Sequence, residues 1–215
     1  MSNPLPMRKE LMQCQNCWKS KTPGVTMSRC SACKIETYCG VECQRAAWPL
    51  HKAKCKINSR VGTTLPEDAA KKVERTRKML VAFVGKHRPA LAEAGLRALD
   101  LRRYPRNLEQ KYLCVTVRQR PGKQPAQLLY VFEDAYVAEI DDLSPSLAAD
   151  MRSVQADARR TGPANVVGTF FVMVFDLDTK VCNNVLVSPA KDVTYPSPKP
   201  YKEFLMHHIN NGITI

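Results

Sequence analysis

The sequence predicts three parts in order: a small cysteine-rich module stabilised by metal, a helical hairpin and an α+β domain. Three observations carry this expectation. Seven of the nine cysteines fall between Cys14 and Cys55. Apolar residues recur at helical spacing over residues 64–101, and beyond Pro105 the texture changes to short alternating or apolar runs separated by turn residues.

A chain of 215 residues has room for one ordinary domain and a small module. With 44% hydrophobic and 25% charged residues, its composition is that of a packed globular protein and excludes a disordered or fibrous class. The longest apolar run, residues 166–175, is about half the roughly 20 residues a membrane helix needs. It contains Gly168 and Thr169 and reads as a buried strand. Residues 1–12 lack the apolar stretch of a secretory signal and turn basic at Arg8 and Lys9, so the expectation is a protein of the cytoplasm or nucleus with no membrane partner. In a reducing compartment, clustered cysteines read as metal ligands rather than disulfides.

The net charge of +13 is uneven. Residues 1–60 hold 11 basic and 3 acidic groups, residues 61–120 hold 14 and 6, and residues 121–215 hold 8 and 11. Seven metal-bound thiolates and two divalent ions would lower the first segment from +8 to +5.

Residues 1–13, with Pro4 and Pro6, read as a lead-in. The ligand pattern then runs Cys14-x2-Cys17, twelve residues, Cys30-x2-Cys33, five residues, Cys39-x3-Cys43, seven residues, His51-x3-Cys55. An x2 spacing brings two thiolates to one ion across a tight turn, and an x3 spacing puts two ligands on one helical face. Four pairs make eight ligands, enough to saturate two tetrahedral zinc ions. Such sites are structural, because a catalytic zinc keeps one position open for water. A segment this short and hydrophilic cannot bury seven thiols by packing, whereas structural zinc contributes roughly 10–16 kcal/mol of apparent binding free energy. Spacing alone leaves sequential and interleaved pairing both open.

The segment over residues 14–55 resembles the MYND-type zinc fingers. The resemblance rests on the eight ligands in order, Tyr38 immediately before Cys39, and the run Cys43-Gln44-Arg45-Ala46-Ala47-Trp48-Pro49-Leu50-His51-Lys52-Ala53-Lys54-Cys55. The gap between Cys17 and Cys30 is long, and Ala47 stands where an acidic residue often precedes the tryptophan. The resemblance implies an interleaved arrangement, with one zinc on Cys14, Cys17, Cys39 and Cys43 and the other on Cys30, Cys33, His51 and Cys55. It also implies protein recognition, since the matching glutamine and tryptophan, here Gln44 and Trp48, take short proline-containing peptides in MYND fingers that recruit corepressors. The functional expectation is therefore a zinc-binding transcriptional or scaffolding adaptor.

Three alternatives stand beside it. Trp48 packs the finger's own core or docks on the helix that follows. The sequence pI of about 9.5 and the bases Lys52, Lys54, Lys56 and Arg60 suit nucleic acid. Some MYND proteins are lysine methyltransferases with the finger inserted in a SET domain, which raises the third alternative, an enzyme in the C-terminal part. The Asn-His-Ser-Cys-like motif of that domain is missing, and Met206-His207-His208-Ile209-Asn210-Asn211-Gly212 is only a superficial echo. With no phosphate-binding glycine loop or nucleophile elbow either, no enzyme is expected.

Thr64-Leu65-Pro66-Glu67 has the pattern of a helix start. Ala69, Val73, Leu80, Phe83 and Val84 line one face of that helix, and His87-Arg88-Pro89 is expected to break it, with Pro89 opening a second helix through Leu91, Ala94, Leu96, Leu99 and Leu101. Residues 64–101 thus read as a hairpin.

Residues 106–215 read as the α+β domain, with strands at 112–119, 128–132, 136–140, 166–176 and 181–187 and helices at 145–160 and 200–211, the last ended by Asn211-Gly212. Residues 195–201 form a proline-rich loop. The acidic Glu133, Asp134, Glu139, Asp141 and Asp142 read as a solvated strand edge, and Cys114 and Cys182 as inert buried thiols. Residues 61–215 are also broadly similar, through His87-Arg88-Pro89 and Ala98-Leu99-Asp100-Leu101, to the tails of uncharacterised fungal MYND-finger proteins.

Overall fold

The computed structural model describes residues 14–17, 19, 24–33, 36–60, 67–101, 103–161, 166, 168–190 and 200–214, without the side chains of 50, 53, 54, 56–58, 60 and 161. The chain divides into two compact units, residues 1–61 and 62–215. The expected lead-in, residues 64–66 of the helix-start pattern and residues 195–199 of the proline-rich loop lie outside the described residues.

In the first unit a two-residue strand β1 (Ser28–Arg29) pairs antiparallel with β2 (Thr37–Tyr38), and a helix α1 (Val41–Arg60) follows. Backbone bonds tie the loops to this frame: Cys14 N–H donates to Lys19 O at 2.9 Å, Gln15 N–H to Thr37 O at 2.9 Å, and Cys30 N–H to Glu36 O at 2.8 Å.

The second unit begins with one continuous helix, α2 (Glu67–Leu99), where a hairpin was expected. Pro89 lies inside it. Proline removes one helical hydrogen bond and crowds the carbonyl four residues back, at about 3 kcal/mol or more. Here the residue four back is Gly85, with no side chain, and both positions are exposed. The buried stripe Leu80, Phe83, Val84, His87, Ala90, Leu91, Ala94 and Leu99 keeps one phase across the proline, so burial of that whole face outweighs the local penalty.

A short helix α3 (Asn107–Gln110) leads into β3 (Lys111–Gln119), and then come β4 (Tyr130–Glu139), α4 (Pro145–Thr161), β5 (Phe170–Asp176), β6 (Cys182–Val187) and α5 (Tyr201–Asn211). The four strands form one mixed sheet in the order β4-β3-β5-β6. β3 pairs antiparallel with β4 and parallel with β5, and β5 pairs antiparallel with β6. Leu113, Val115 and Val117 of β3 alternate onto one face together with Phe170, Val172 and Val174 of β5. That face shares a core with the α2 stripe and with Phe204, Leu205 and Ile209 of α5. Tyr112, Cys114, Phe171 and Met173, on the opposite face, are buried as well, as suits central strands covered on both sides.

Two strands were expected between residues 128 and 140, and the structure has one. Glu133 and Asp134 interrupt the apolar pattern, but β4 is an edge strand, where charge is tolerated. The register shifts between Thr116 and Val117, which face Asp134 and Phe132, so Glu133 is the extra residue of a bulge. Glu133 pairs with Arg118 at 3.2 Å and Asp134 with Lys202 at 2.8 Å. Gln155 anchors α4 by donating to Leu108 O at 2.7 Å and Thr169 O at 3.3 Å. Helix α5 stops at Gly212, whose φ of 64° is the left-handed conformation expected of a glycine cap.

Gly95 packs α2 against the sheet: a Cβ there would meet the Phe170 ring well inside van der Waals contact and Val172 Cγ2 at 3.0 Å. Gly95→Ala should therefore cost about 1–3 kcal/mol in urea denaturation despite its better helix propensity. Gly85→Ala, with open space around it, should stabilise the same helix by up to about 1 kcal/mol.

His87 is fully buried, its Nε2 lies 2.9 Å from Gln127 O, and its Nδ1 has no hydrogen-bond partner among the described residues. A carbonyl only accepts, so Nε2 carries a proton, and the second proton of an imidazolium, on Nδ1, would have no acceptor among the described residues. Burial lowers the imidazole pKa against the bond to Gln127, and His208 and Lys86 lower it further. The unfolded chain takes up this proton at about 6.5 and the folded chain only at lower pH, so stability is fully present above about 6.5 and falls as pH drops below it. Hydrogen exchange of β3 and β5 amides, corrected for intrinsic rates, should show protection falling from pH 7 to pH 5.5, with a smaller slope in His87→Gln.

Candidate metal centres and helix groove

Each cysteine or histidine of the pattern is placed by a local element of the first unit. Cys14 and Cys17 flank one turn and Cys30 and Cys33 another. Cys39 follows β2, Cys43 lies in the first turn of α1, and His51 and Cys55 are one turn apart further along that helix. The ligand atoms gather into two quartets, Cys14-Cys17-Cys39-Cys43 and Cys30-Cys33-His51-Cys55, and within each quartet all four lie within 4.8 Å of one another. The pairing is interleaved, joining the first ligand pair to the third and the second to the fourth.

The separations fit zinc. A tetrahedral ion with Zn–S near 2.3 Å sets its sulfurs roughly 3.8 Å apart, and with one Zn–N bond near 2.0–2.1 Å the S···N edge is roughly 3.5–3.6 Å. Cys17–Cys39 and Cys39–Cys43 are separated by 3.5 Å, Cys30–Cys55 by 3.7 Å, and Cys33 Sγ–His51 Nε2 by 3.6 Å. The second quartet is wholly buried, whereas Cys17 in the first is exposed.

The thiols differ among themselves in a way that calls for a cation. Burial works against ionisation of Cys14, yet the backbone N–H groups of Cys17, Cys39 and Asn16 outweigh it and draw that thiol down to about 6. Cys39, hydrogen-bonded to the sulfurs of Cys17, Cys43 and Cys14, is pushed up to about 12. Burial and the neighbouring Cys33 and Cys30 likewise push Cys55 up to about 12. Each quartet readily holds a first negative charge and resists the rest, and a divalent ion removes that resistance.

His51 joins the second quartet to an aromatic pair. Its ring meets buried Tyr38 edge-on at 5.9 Å and Trp48 at 5.8 Å. Burial, then Glu36 and the surrounding thiols, push the Tyr38 hydroxyl well above its usual range, so it stays neutral. Trp48 therefore has one edge on the finger and the rest in solvent, being 41% exposed. It forms a groove of about 320 Å³ with Val41, Gln44 and Arg45. Pro49 has no N–H, so the Arg45 carbonyl also lacks its helical donor. Val41 and Arg45 are absent from the sequence-based expectation, although the helical spacing that pairs Gln44 with Trp48 puts them on the same face.

Of the bases considered for nucleic acid, Lys52 is exposed, while the side chains of Lys54, Lys56 and Arg60 lie outside the described residues. Of the five acidic residues read as a solvated edge, four are in ion pairs: besides Glu133 and Asp134, Glu139 pairs with Lys111 and Asp141 with Arg152, while Asp142 is exposed. Among the described residues no third group of potential ligands converges. Burial raises the thiol pKa of both Cys114 and Cys182. No described helix is long and apolar enough to cross a membrane.

Comparison with known proteins agrees with this geometry: the family described as MYND finger matches residues 14–55. The chain is 42% identical over 59 residues to a SET and MYND domain-containing protein of Dictyostelium discoideum, covering 26% of this chain and 11% of that protein. It is 49% identical over 43 residues to SET domain and MYND-type zinc finger protein 6 of Schizosaccharomyces pombe, covering 20% and 8%. With the histone-lysine N-methyltransferase SMYD3 of Homo sapiens it shares 34% identity over 62 residues, covering 29% and 14%. The chain thus spans about a tenth of the length of the curated relatives it matches. No solved structure matches.

Two zinc ions per chain should be found by elemental analysis of protein purified under reducing, metal-replete conditions. Cys39→Ala and His51→Ala should each remove one ion, and cobalt substitution should show different remaining sites: three thiolates with one imidazole in the first variant, four thiolates in the second.

Proposed function

We infer that the MYND finger of residues 14–55 is a zinc-held protein-recognition module, and that the chain acts as a transcriptional or scaffolding adaptor rather than an enzyme. In this reading Cys14, Cys17, Cys39 and Cys43 bind one zinc, Cys30, Cys33, His51 and Cys55 bind the other, and both ions are structural. MYND fingers generally mediate protein–protein interaction. One observation carries the reading for this chain: Trp48 stands exposed beside Gln44 in a groove, its ring braced by the ligand His51. An indole offers a flat apolar platform, and the Gln44 amide adds a donor and an acceptor for the backbone of an extended proline-containing peptide. Since the four ligands of each quartet fill a tetrahedron, no position is left for a reacting water. The lysine methyltransferases among the relatives match this chain in the finger region, over 29% of its length.

Trp48→Ala should weaken binding of a proline-containing peptide by about 1–3 kcal/mol, as expected for loss of an aromatic anchor, with zinc content unchanged. Affinity should respond weakly to salt. A basic surface gripping nucleic acid would instead lose affinity steeply with salt and keep it in Trp48→Ala. Recovery of nucleic acid alone from lysate, equally with wild type and variant, would end the groove reading.

A further inference from the structure

The two quartets share one ligand chemistry but lie at different depths. In the second, Cys30, Cys33, His51 and Cys55 are each at most 4% exposed, and the His51 ring meets Tyr38 and Trp48 edge-on. In the first, Cys14 is buried, Cys39 and Cys43 are half-buried, and Cys17 is exposed. The Cys17 sulfur lies 3.5 Å from that of Cys39. The bond from Gln15 N–H to Thr37 O at 2.9 Å ties the turn before Cys17 to the strand before Cys39, so the backbone helps hold the two sulfurs together. A thiolate rather than a thiol attacks an oxidant, and zinc keeps its cysteine ligands as thiolates at neutral pH. Among thiolates of equal charge, exposure then decides which one an oxidant reaches. The two cysteines outside the finger compete poorly, since Cys114 is buried, Cys182 is half-buried, and burial holds both as thiols.

Resting on the zinc assignment above, we propose that Cys17 is a site of oxidative modification, where a peroxide joins it to Cys39 and frees the zinc of the first quartet while the second quartet keeps its own. The Cys17 thiolate attacks one oxygen of the peroxide; the O–O bond breaks, a sulfenic acid forms and hydroxide leaves. The Cys39 thiolate then attacks that sulfur, the S–S bond forms and a second hydroxide leaves. The two sulfurs together give up two electrons, which the peroxide takes, and the metal is not oxidised or reduced. Only Cys14 and Cys43 remain for an ion that needs four ligands. Cys43 lies in the first turn of α1, so that turn loses its metal tether, whereas His51 and Cys55 still hold the helix further along. A thiol reductant reverses the step by exchange and restores both ligands.

The test adds equimolar hydrogen peroxide to the zinc-loaded full chain freed of reductant. Released zinc is followed with a chromophoric chelator, and disulfides are mapped by mass spectrometry after alkylation of the remaining thiols. Wild type should lose one of its two ions, carry a Cys17–Cys39 disulfide, and regain the ion when reductant and zinc are added. Cys17→His, which keeps a nitrogen ligand but no oxidisable sulfur, should release the first ion far more slowly, and Cys182→Ala should release it as wild type does. Should Cys17→His fail to load, the wild-type disulfide map decides alone. Loss of both ions in step, a first disulfide that omits Cys17, or release from Cys17→His as fast as from wild type would overturn the proposal. A disulfide of Cys17 with any cysteine but Cys39 would overturn the pairing. A chain holding fewer than two ions before peroxide is added would overturn the zinc assignment itself.

Discussion

The first unit depends on one constraint: four donor atoms from distant points of the chain must converge on a single position, twice. The apolar residues there cannot enforce this, because the finger's core consists of Tyr38, Ala47 and four cysteines, with Met27, Cys39 and Cys43 packed against them. Two-residue strands fix little by themselves. Interleaving makes the two sites dependent on one another. Helix α1 supplies Cys43 to one quartet and His51 and Cys55 to the other, so its position answers to both ions. Trp48 is held at one remove through His51, and the groove beside it is therefore tied to the metal quartet behind it.

In the second unit the equivalent constraint is apolar. A stripe along α2, the inward residues of β3, β5 and β6, and three residues of α5 share one core. Polar groups then fix the ends: Arg120 donates to Asn210 O at 2.8 Å, the Asn210 side chain accepts from Phe132 N–H at 2.9 Å, and Arg88 donates to Leu186 O at 3.0 Å. The last two of these bonds occupy backbone groups of the edge strands β4 and β6 with partners from the same unit.

The site was more legible in the sequence than the fold. Ligand chemistry admits few spacings, so the eight residues that converge in the two quartets could be read from the order of cysteines and one histidine, and the shared face of Gln44 and Trp48 from helical periodicity. The pairing of ligands could not be read that way, because spacing constrains neighbours and not partners across the module. Val41 and Arg45 went unread since an exposed valine and arginine on a helix carry no signal until the groove is seen. Pro89 misled for a related reason: a local rule about proline was weighed without the long-range burial that overrides it, although the apolar phase from Leu80 to Leu99 does run straight through. In β4, two charged residues masked a strand whose edge position makes them harmless.

The middle of the sheet has a kinetic consequence. β3 with β4 and β5 with β6 are two antiparallel ladders between neighbouring segments, each closed by a short connection, but they meet along the parallel pairing of β3 with β5. That seam joins Leu113 to Val172 and Val115 to Val174, across an intervening stretch that includes β4 and α4. Closing a loop of roughly sixty residues costs chain entropy before any seam contact repays it, whereas each hairpin forms locally. The two halves of the sheet can thus assemble early and independently, and the seam, welded last, sets the pace of folding. Until it closes, the apolar edges of β3 and β5 are open, and this interval is when the nascent chain is most exposed to association with its own copies.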